Sequence, residues 1–201
     1  MTDAEPATAL LDIVSARRGH FKLESGHHSG LWLDLDALFA NPRQVGPLVS
    51  ALANALRPHN VSSVCGPLLG GAFLAQLVAH ALDVTFCFTE RVIPRNKTEL
   101  YPALYKLPTA FAKSISGKRV AIVDDVMSAG SALRGTFMEL RAYEAKPVVA
   151  AALLVLGETG LQFFAEQDVP VEAVAMEDCD LWQPAECPHC RSGVKLEDVA
   201  D

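Results

Sequence analysis

The sequence predicts an α/β fold, a mostly parallel β-sheet flanked by helices, and three observations carry that expectation. From residue 61 onward, short β-prone runs alternate with helical stretches of about 10–15 residues, as βαβ units require. Two of the runs, Val120–Val123 and Val148–Leu156, are almost unbroken apolar segments, which suits strands buried on both faces. Half of the 201 residues are hydrophobic and only 20% are charged, enough apolar material to cover a sheet on two sides.

The elements follow in order. Residues 6–18 read as an amphipathic helix, with Leu10, Leu11 and Val14 on one face, ending near Gly19. Two short strands come next, Phe21–Leu23 and Leu31–Leu35, separated by a turn at Ser25-Gly26. Asn41-Pro42 supplies an N-cap followed by proline at the first helical position. Val45, Leu48, Val49, Leu52 and Leu56 then recur at helical spacing until Pro58. Val61–Cys65 reads as a strand, Gly71–Leu82 as a helix and Val84–Phe88 as a strand. A polar stretch from Thr89 to Pro108 follows, within which Glu90–Lys106 is long for a connection in a compact domain and is expected to be a mobile lid. Strand Arg119–Val123, helix Ser131–Tyr143, strand Val148–Leu156, helix Thr159–Gln167 and strand Val171–Met176 complete the alternation. Three regions result: an N-terminal helix with hood strands (1–40), a core (41–176) and a cysteine-containing tail (177–201).

Composition excludes several function classes. A formal charge of −7 argues against non-specific nucleic-acid binding, which needs a basic footprint. No run approaches the roughly 18–20 apolar residues that span a bilayer, and Met1–Ala9 lacks the basic and apolar parts of a signal peptide. Five cysteines, three of them in the tail, do not form a secreted disulfide framework, so the expected compartment is cytoplasmic.

The most informative segment is Arg119-Val-Ala-Ile-Val-Asp-Asp-Val-Met-Ser-Ala-Gly-Ser131. A buried strand delivers Asp124 and Asp125 to its carboxyl end, where ligands of parallel sheets bind. The small residues Ser128, Ala129, Gly130 and Ser131 follow, then a helix. Small side chains let backbone N–H groups approach an anion, and the helix N-terminus adds a favourable dipole. A phosphate cradle beside two carboxylates matches a ribose 5-phosphate, with vicinal hydroxyls or hydrated Mg²⁺ for the acids. A strand end with an acidic turn is the bland alternative for Asp-Asp alone. No Gly-Lys-Ser/Thr follows, and no G-x-G-x-x-G occurs anywhere, which excludes the Walker and dinucleotide motifs. A second glycine-rich junction lies at Cys65-Gly-Pro-Leu-Leu-Gly-Gly71.

The acidic segment closely resembles the phosphoribosyl pyrophosphate (PRPP) motif of type I phosphoribosyltransferases. The resemblance implies that fold with a small N-terminal hood, and transfer of ribose 5-phosphate from PRPP, with Mg²⁺, to a nitrogenous base. Carried over, Asp124 and Asp125 hold the ribose hydroxyls, and Ser128, Ala129, Gly130 and Ser131 hold the 5-phosphate. Leu69 and Gly70, at the second junction, meet pyrophosphate through the main chain. The lid, with Arg91, Arg95, Lys97 and Lys106, closes over the leaving group; Lys97 and Arg91 are the catalytic candidates. Phe21-Lys-Leu-Glu-Ser-Gly-His-His-Ser-Gly-Leu-Trp-Leu-Asp34 resembles the opening of orotate phosphoribosyltransferases and puts Trp32 over the base, with plain core packing as its alternative. The resemblance further implies a homodimer and a place in pyrimidine biosynthesis. Three positions depart from that pattern. The lysine of the opening segment is Glu24, the family's basic lid motif is replaced by Glu90-Arg-Val-Ile-Pro-Arg-Asn-Lys97, and an arginine expected after Leu156 is absent from Gly157-Glu158. A different base acceptor and a non-catalytic PRPP sensor therefore stand beside orotate transfer.

Two features stay outside the motif. His27 and His28 are either donors to an anion or exposed loop residues. Cys187-Pro-His-Cys190 is half of a zinc site, for which Cys179 and His189 are further candidate ligands; the alternative is a reduced, tethering tail.

Overall fold

The computed structural model describes residues 10, 14–35, 38–92 and 100–199. Its centre is a six-stranded sheet in the order β5-β4-β3-β6-β7-β8. The strands are β3 (Ser63–Pro67), β4 (Thr85–Val92), β5 (Leu104–Lys106), β6 (Arg119–Met127), β7 (Lys146–Leu156) and β8 (Val171–Glu177). All neighbours pair parallel except β5, which returns antiparallel along β4.

Helices cover both faces: α1 (Pro42–Leu56) and α2 (Gly70–Leu82) on one, α3 (Thr109–Ile115), α4 (Ser131–Ala142) and α5 (Thr159–Glu166) on the other. The period of two along the strands divides the core accordingly. Ala121, Val123, Val149, Ala151 and Leu153 pack with α1 and α2, whereas Val120, Ile122, Ala150 and Ala152 pack with Leu133, Phe137 and Phe164. Asn41 caps α1 as expected, its side chain accepting from the Arg43 N–H at 3.1 Å.

This topology fixes where a ligand can bind. From β3 the chain crosses through α2 to β4 on one side; from β6 it crosses through α4 to β7 on the other. Adjacent β3 and β6 therefore form a switch point whose loops diverge to opposite faces and leave a crevice at their carboxyl ends.

A second sheet, in the order β10-β1-β2-β9, joins β1 (Ser15–Lys22) and β2 (His28–Asp34) to tail strands β9 (Leu181–Trp182) and β10 (Glu197–Asp198). Short helix α6 (Pro188–Arg191) lies between the tail strands. Two expectations are corrected here. The helix read over 6–18 cannot reach Gly19, because β1 begins at Ser15 and pairs with β2; residues 1–9 and 11–13 lie outside the described residues. The 89–108 stretch is not all loop: β4 runs to Val92 and β5 pairs back onto it. The tail, for its part, is a component of the hood sheet. Among the described residues no helix is long and apolar enough to cross a membrane.

Candidate active site

The acidic pair is built into β6. The strand continues to Met127, so Asp124 still pairs with Ala152 of β7. Both acids are buried, at 8% and 9% exposure. Each carboxylate accepts from the next residue's N–H, Asp125 N to Asp124 Oδ1 at 3.0 Å and Val126 N to Asp125 Oδ1 at 2.8 Å. Burial, and then the charge of Asp125, push the Asp124 carboxyl well above its ordinary value.

The glycine-rich junction lies directly against this pair. A Cβ added at Gly71 would stand 2.6 Å from Asp124 Oδ1, and one at Gly70 would fall onto the Asp125 carboxylate. No side chain fits either place, which is the physical reason for two glycines at the start of α2. Leu69 precedes them with its side chain 67% exposed, and the Leu68–Leu69 peptide is cis. The structure thus brings together the two loops that the sequence linked only by resemblance.

Beyond the acids, Ser128 and Ala129 lead to Gly130, whose φ of +74° suits glycine, and α4 starts at Ser131. Ser128 and Ser131 line a cavity of about 220 Å³ together with Glu24, Leu31 and Trp32 of the hood. Trp32 is half-buried there, and the Arg17 guanidinium lies 5.4 Å from its ring centre.

Glu24 was conspicuous in sequence only as a charge reversal; in the structure it joins three segments. Tyr105 Oη donates to its carboxylate oxygens at 2.9 and 3.0 Å, and Ser131 Oγ donates at 2.9 Å. Arg91 Nε lies 2.9 Å from Glu24 Oε2. Burial, and next the Glu24 charge, push the Tyr105 phenol up, so it stays protonated and donating. Arg91 is thereby placed at the site, while Lys97 and Arg95 lie outside the described residues. Lys106 instead pairs with Glu139 of α4 at 2.9 Å and ties down the returning strand.

The remaining candidates fall elsewhere. His27 and His28 are buried rather than exposed: His27 meets Tyr101 edge-on, and His28 faces His20. Cys179 Sγ lies 3.7 Å from Ser29 Oγ at the cavity wall, apart from Cys187 and Cys190. His189 packs edge-on against Trp182. Sequence reasoning missed Tyr105 and His20, because neither belongs to a local pattern. At the end of β7, Gly157 has a φ of +66° and Glu158 follows, with no arginine. Arg18 does border an adjoining cleft of about 940 Å³ that shares Leu31, Leu156 and Cys179 with the smaller cavity.

Comparison with known proteins agrees with this geometry. Residues 35–171 match the phosphoribosyl transferase domain family. The chain is 32% identical over 200 residues to an orotate phosphoribosyltransferase of Wolinella succinogenes, covering 94% of this chain and 90% of that protein. It is 28% identical over 179 residues to one of Thermotoga maritima, covering 89% and 88%. Among solved structures, it resembles orotate phosphoribosyltransferase from Aeropyrum pernix (TM-score 0.63, 24% identity, covering 85% of this chain and 93% of that one). It also resembles adenine phosphoribosyl transferase from Trypanosoma brucei (TM-score 0.66, 16% identity, covering 88% and 81%).

Proposed function

Because this chain belongs to the phosphoribosyl transferase family, we propose that it moves ribose 5-phosphate from PRPP onto orotate, releasing pyrophosphate and forming orotidine 5-phosphate. The observation that carries the assignment of roles is the acidic pair seated against Gly70 and Gly71 at the switch point.

Asp124 and Asp125 accept hydrogen bonds from the ribose 2- and 3-hydroxyls. The loop from Ser128 to Ser131, with the first turn of α4, receives the 5-phosphate. The backbone around Leu69 and Gly70 at the start of α2 receives pyrophosphate, since small residues leave room for close approach. Trp32 stacks on the base, in the cavity it shares with Ser128. Breaking the C1–O bond leaves positive charge on the sugar and negative charge on the departing pyrophosphate, so cations on the lid stabilise what forms. Arg91 and Lys97 supply them, and closure of the lid excludes water that would hydrolyse PRPP. Arg18 replaces the missing arginine after β7 as partner of the orotate carboxylate.

The donor set suits Mg²⁺: two buried carboxylates are hard oxygen ligands, and Asp124 gains from any nearby positive charge. Asp124 and Asp125 are the residues that would hold it with the substrate. When bound, it neutralises charge on the diphosphate. A homodimer has a candidate face in Leu69, just before α2, and Phe73 and Leu77 on it, all exposed at four-residue spacing.

Pyrophosphate release with PRPP, Mg²⁺ and a panel of bases tests the proposal. Turnover with orotate alone supports it. Turnover only with another base transfers the chemistry to a different acceptor, and PRPP binding without any turnover makes the protein a sensor and overturns the assignment.

A further inference from the structure

Outside the acidic pair and its two loops, four side chains that no step of the reaction uses converge on one point. They are His20 of β1, His28 of β2, and Cys187 and Cys190 at the two ends of the C-x-x-C in the tail. Their ligand atoms all lie within 4.8 Å of one another. His20 Nε2 is 3.0 Å from His28 Nδ1, 3.3 Å from Cys187 Sγ and 3.7 Å from Cys190 Sγ; Cys190 Sγ is 3.3 Å from His28 Nδ1. We propose that these residues form a structural zinc site that fastens the tail to the hood sheet.

Geometry comes first. Zinc bonds of about 2.0–2.1 Å to nitrogen and 2.3 Å to sulfur, arranged tetrahedrally, separate the ligand atoms by about 3.3–3.8 Å. Four of the separations, 3.0–3.7 Å, fall within about 0.3 Å of that range, and the remaining pairs lie within 4.8 Å. The protonation pattern agrees. His20 Nδ1 lies 2.9 Å from the Val194 carbonyl, which can only accept, so Nδ1 carries the hydrogen and Nε2 turns a lone pair toward the cluster. A ligating histidine that gives its other N–H to a backbone carbonyl is the usual outer arrangement of a zinc site. Charge also balances, since two thiolates and two neutral imidazoles cancel the dication, which suits a site where Cys187, His20 and His28 are buried.

The ligands come from the paired strands β1 and β2 and from the tail, which otherwise meets them through short strands and the exposed ion pairs Arg17–Glu197 and Lys22–Asp198. Tail strands β9 and β10 are two residues long and touch only the edges of the hood. Gly30 of β2 faces the tail, where a Cβ would make ordinary contact with His189 at 3.5 Å and Trp182 at 3.8 Å. Cys179 and Val199, at the two ends of this tail, line the cavity that faces Ser128. A metal that pins α6 therefore holds one wall of the base cavity in place, whichever base enters it.

The test is metal content of full-length protein prepared without a metal-binding tag. One zinc per chain is expected, persisting in Cys179→Ser and lost in Cys187→Ser/Cys190→Ser and in His20→Ala. Chelation should lower the thermal midpoint of the wild type and leave that of the double variant unmoved. Should the double variant not fold, cobalt added to chelated wild-type protein must give the visible bands of a tetrahedral ion with sulfur ligands. Protein that contains no zinc and binds neither metal after reduction refutes the site, as does a Cys187–Cys190 disulfide in freshly isolated protein or full zinc content in a folded double variant.

Discussion

Replacing Asp124 by asparagine should weaken substrate binding while making the empty protein more stable. The side chain keeps its shape, and its Oδ1 can still accept from the Asp125 N–H at 3.0 Å. What disappears is a charge buried to 8% exposure beside a second carboxylate. A hydrogen bond to a charged group contributes about 1.5–3 kcal/mol, so PRPP affinity should fall roughly ten- to 150-fold by titration calorimetry. Stability moves the other way. The folded-state pKa of Asp124 is raised by burial and then by Asp125, above an unfolded value of about 3.9. Between those two values the native state binds more protons than the unfolded chain, so wild-type stability falls as pH rises through that window and stays lower above it. The variant lacks this loss. Its thermal midpoint should match wild type at low pH and exceed it at neutral pH, by about 2–4 °C for each kcal/mol recovered in a chain of this size. Unchanged PRPP affinity would refute the ribose role. A midpoint that drops at neutral pH, or a difference that ignores pH, would refute the strained-carboxylate argument.

Gly71→Ala forces a Cβ to within 2.6 Å of Asp124 Oδ1, so the carboxylate or the loop must shift; overpacking of this kind costs about 1–3 kcal/mol of stability, and misplacing the acid should lower kcat/KM roughly 100-fold, read by denaturant unfolding and steady-state kinetics. Glu24→Gln removes a negative charge that Ser131 Oγ meets at 2.9 Å, and the PRPP dissociation constant should tighten by roughly tenfold, equivalent to about 1.4 kcal/mol; weaker binding would show that Glu24 serves the phosphate site rather than competing with it. Arg18→Ala should raise the KM for orotate by roughly ten- to 100-fold, with little change in the KM for PRPP, and equal effects on both would remove Arg18 from base recognition.

The core was legible because its signals are local. β6, the small-residue loop and α4 are consecutive in the chain, so the run from Arg119 to Ser131 displays strand, acids, cradle and helix in one window. The hood was legible only in part: the β-prone runs at 21–23 and 31–35 fall on β1 and β2, but residues 181–198 complete the sheet from the far end of the chain. A two-residue strand has no periodicity to read, and Ala16-Arg17-Arg18-Gly19 continues the helical pattern of Leu10 and Val14 until pairing with β2 overrides it. The same distance hid the metal ligands. The tail itself offers Cys179 and His189 as partners for Cys187 and Cys190, whereas the structure draws them from two neighbouring strands, His20 lying 167 residues before Cys187 and His28 162 before Cys190. Glu24 was visible as a departure, but nothing in sequence could name Tyr105 and Ser131 as its hydrogen-bond donors.

Those donors give the departure a physical sense. Arg91 sits on β4 and Tyr105 on β5, the two stems from which the lid segment emerges, while Ser131 opens the helix above the phosphate cradle. One carboxylate in the hood turn therefore engages both lid stems and the cradle at once. An arginine and a hydroxyl left facing each other in a partly buried cleft would each lack an acceptor, and desolvated donors without one are costly. Glu24 accepts from the Tyr105 and Ser131 hydroxyls and sets its charge 2.9 Å from Arg91 Nε. Under the proposed function, a phosphate bound at Ser131 would compete for the same hydroxyl hydrogen, leaving Glu24 with Tyr105 and the Arg91 charge. A single side chain thus touches β4, β5 and the start of α4 together, where the resembled pattern has a lysine, which cannot accept from either hydroxyl.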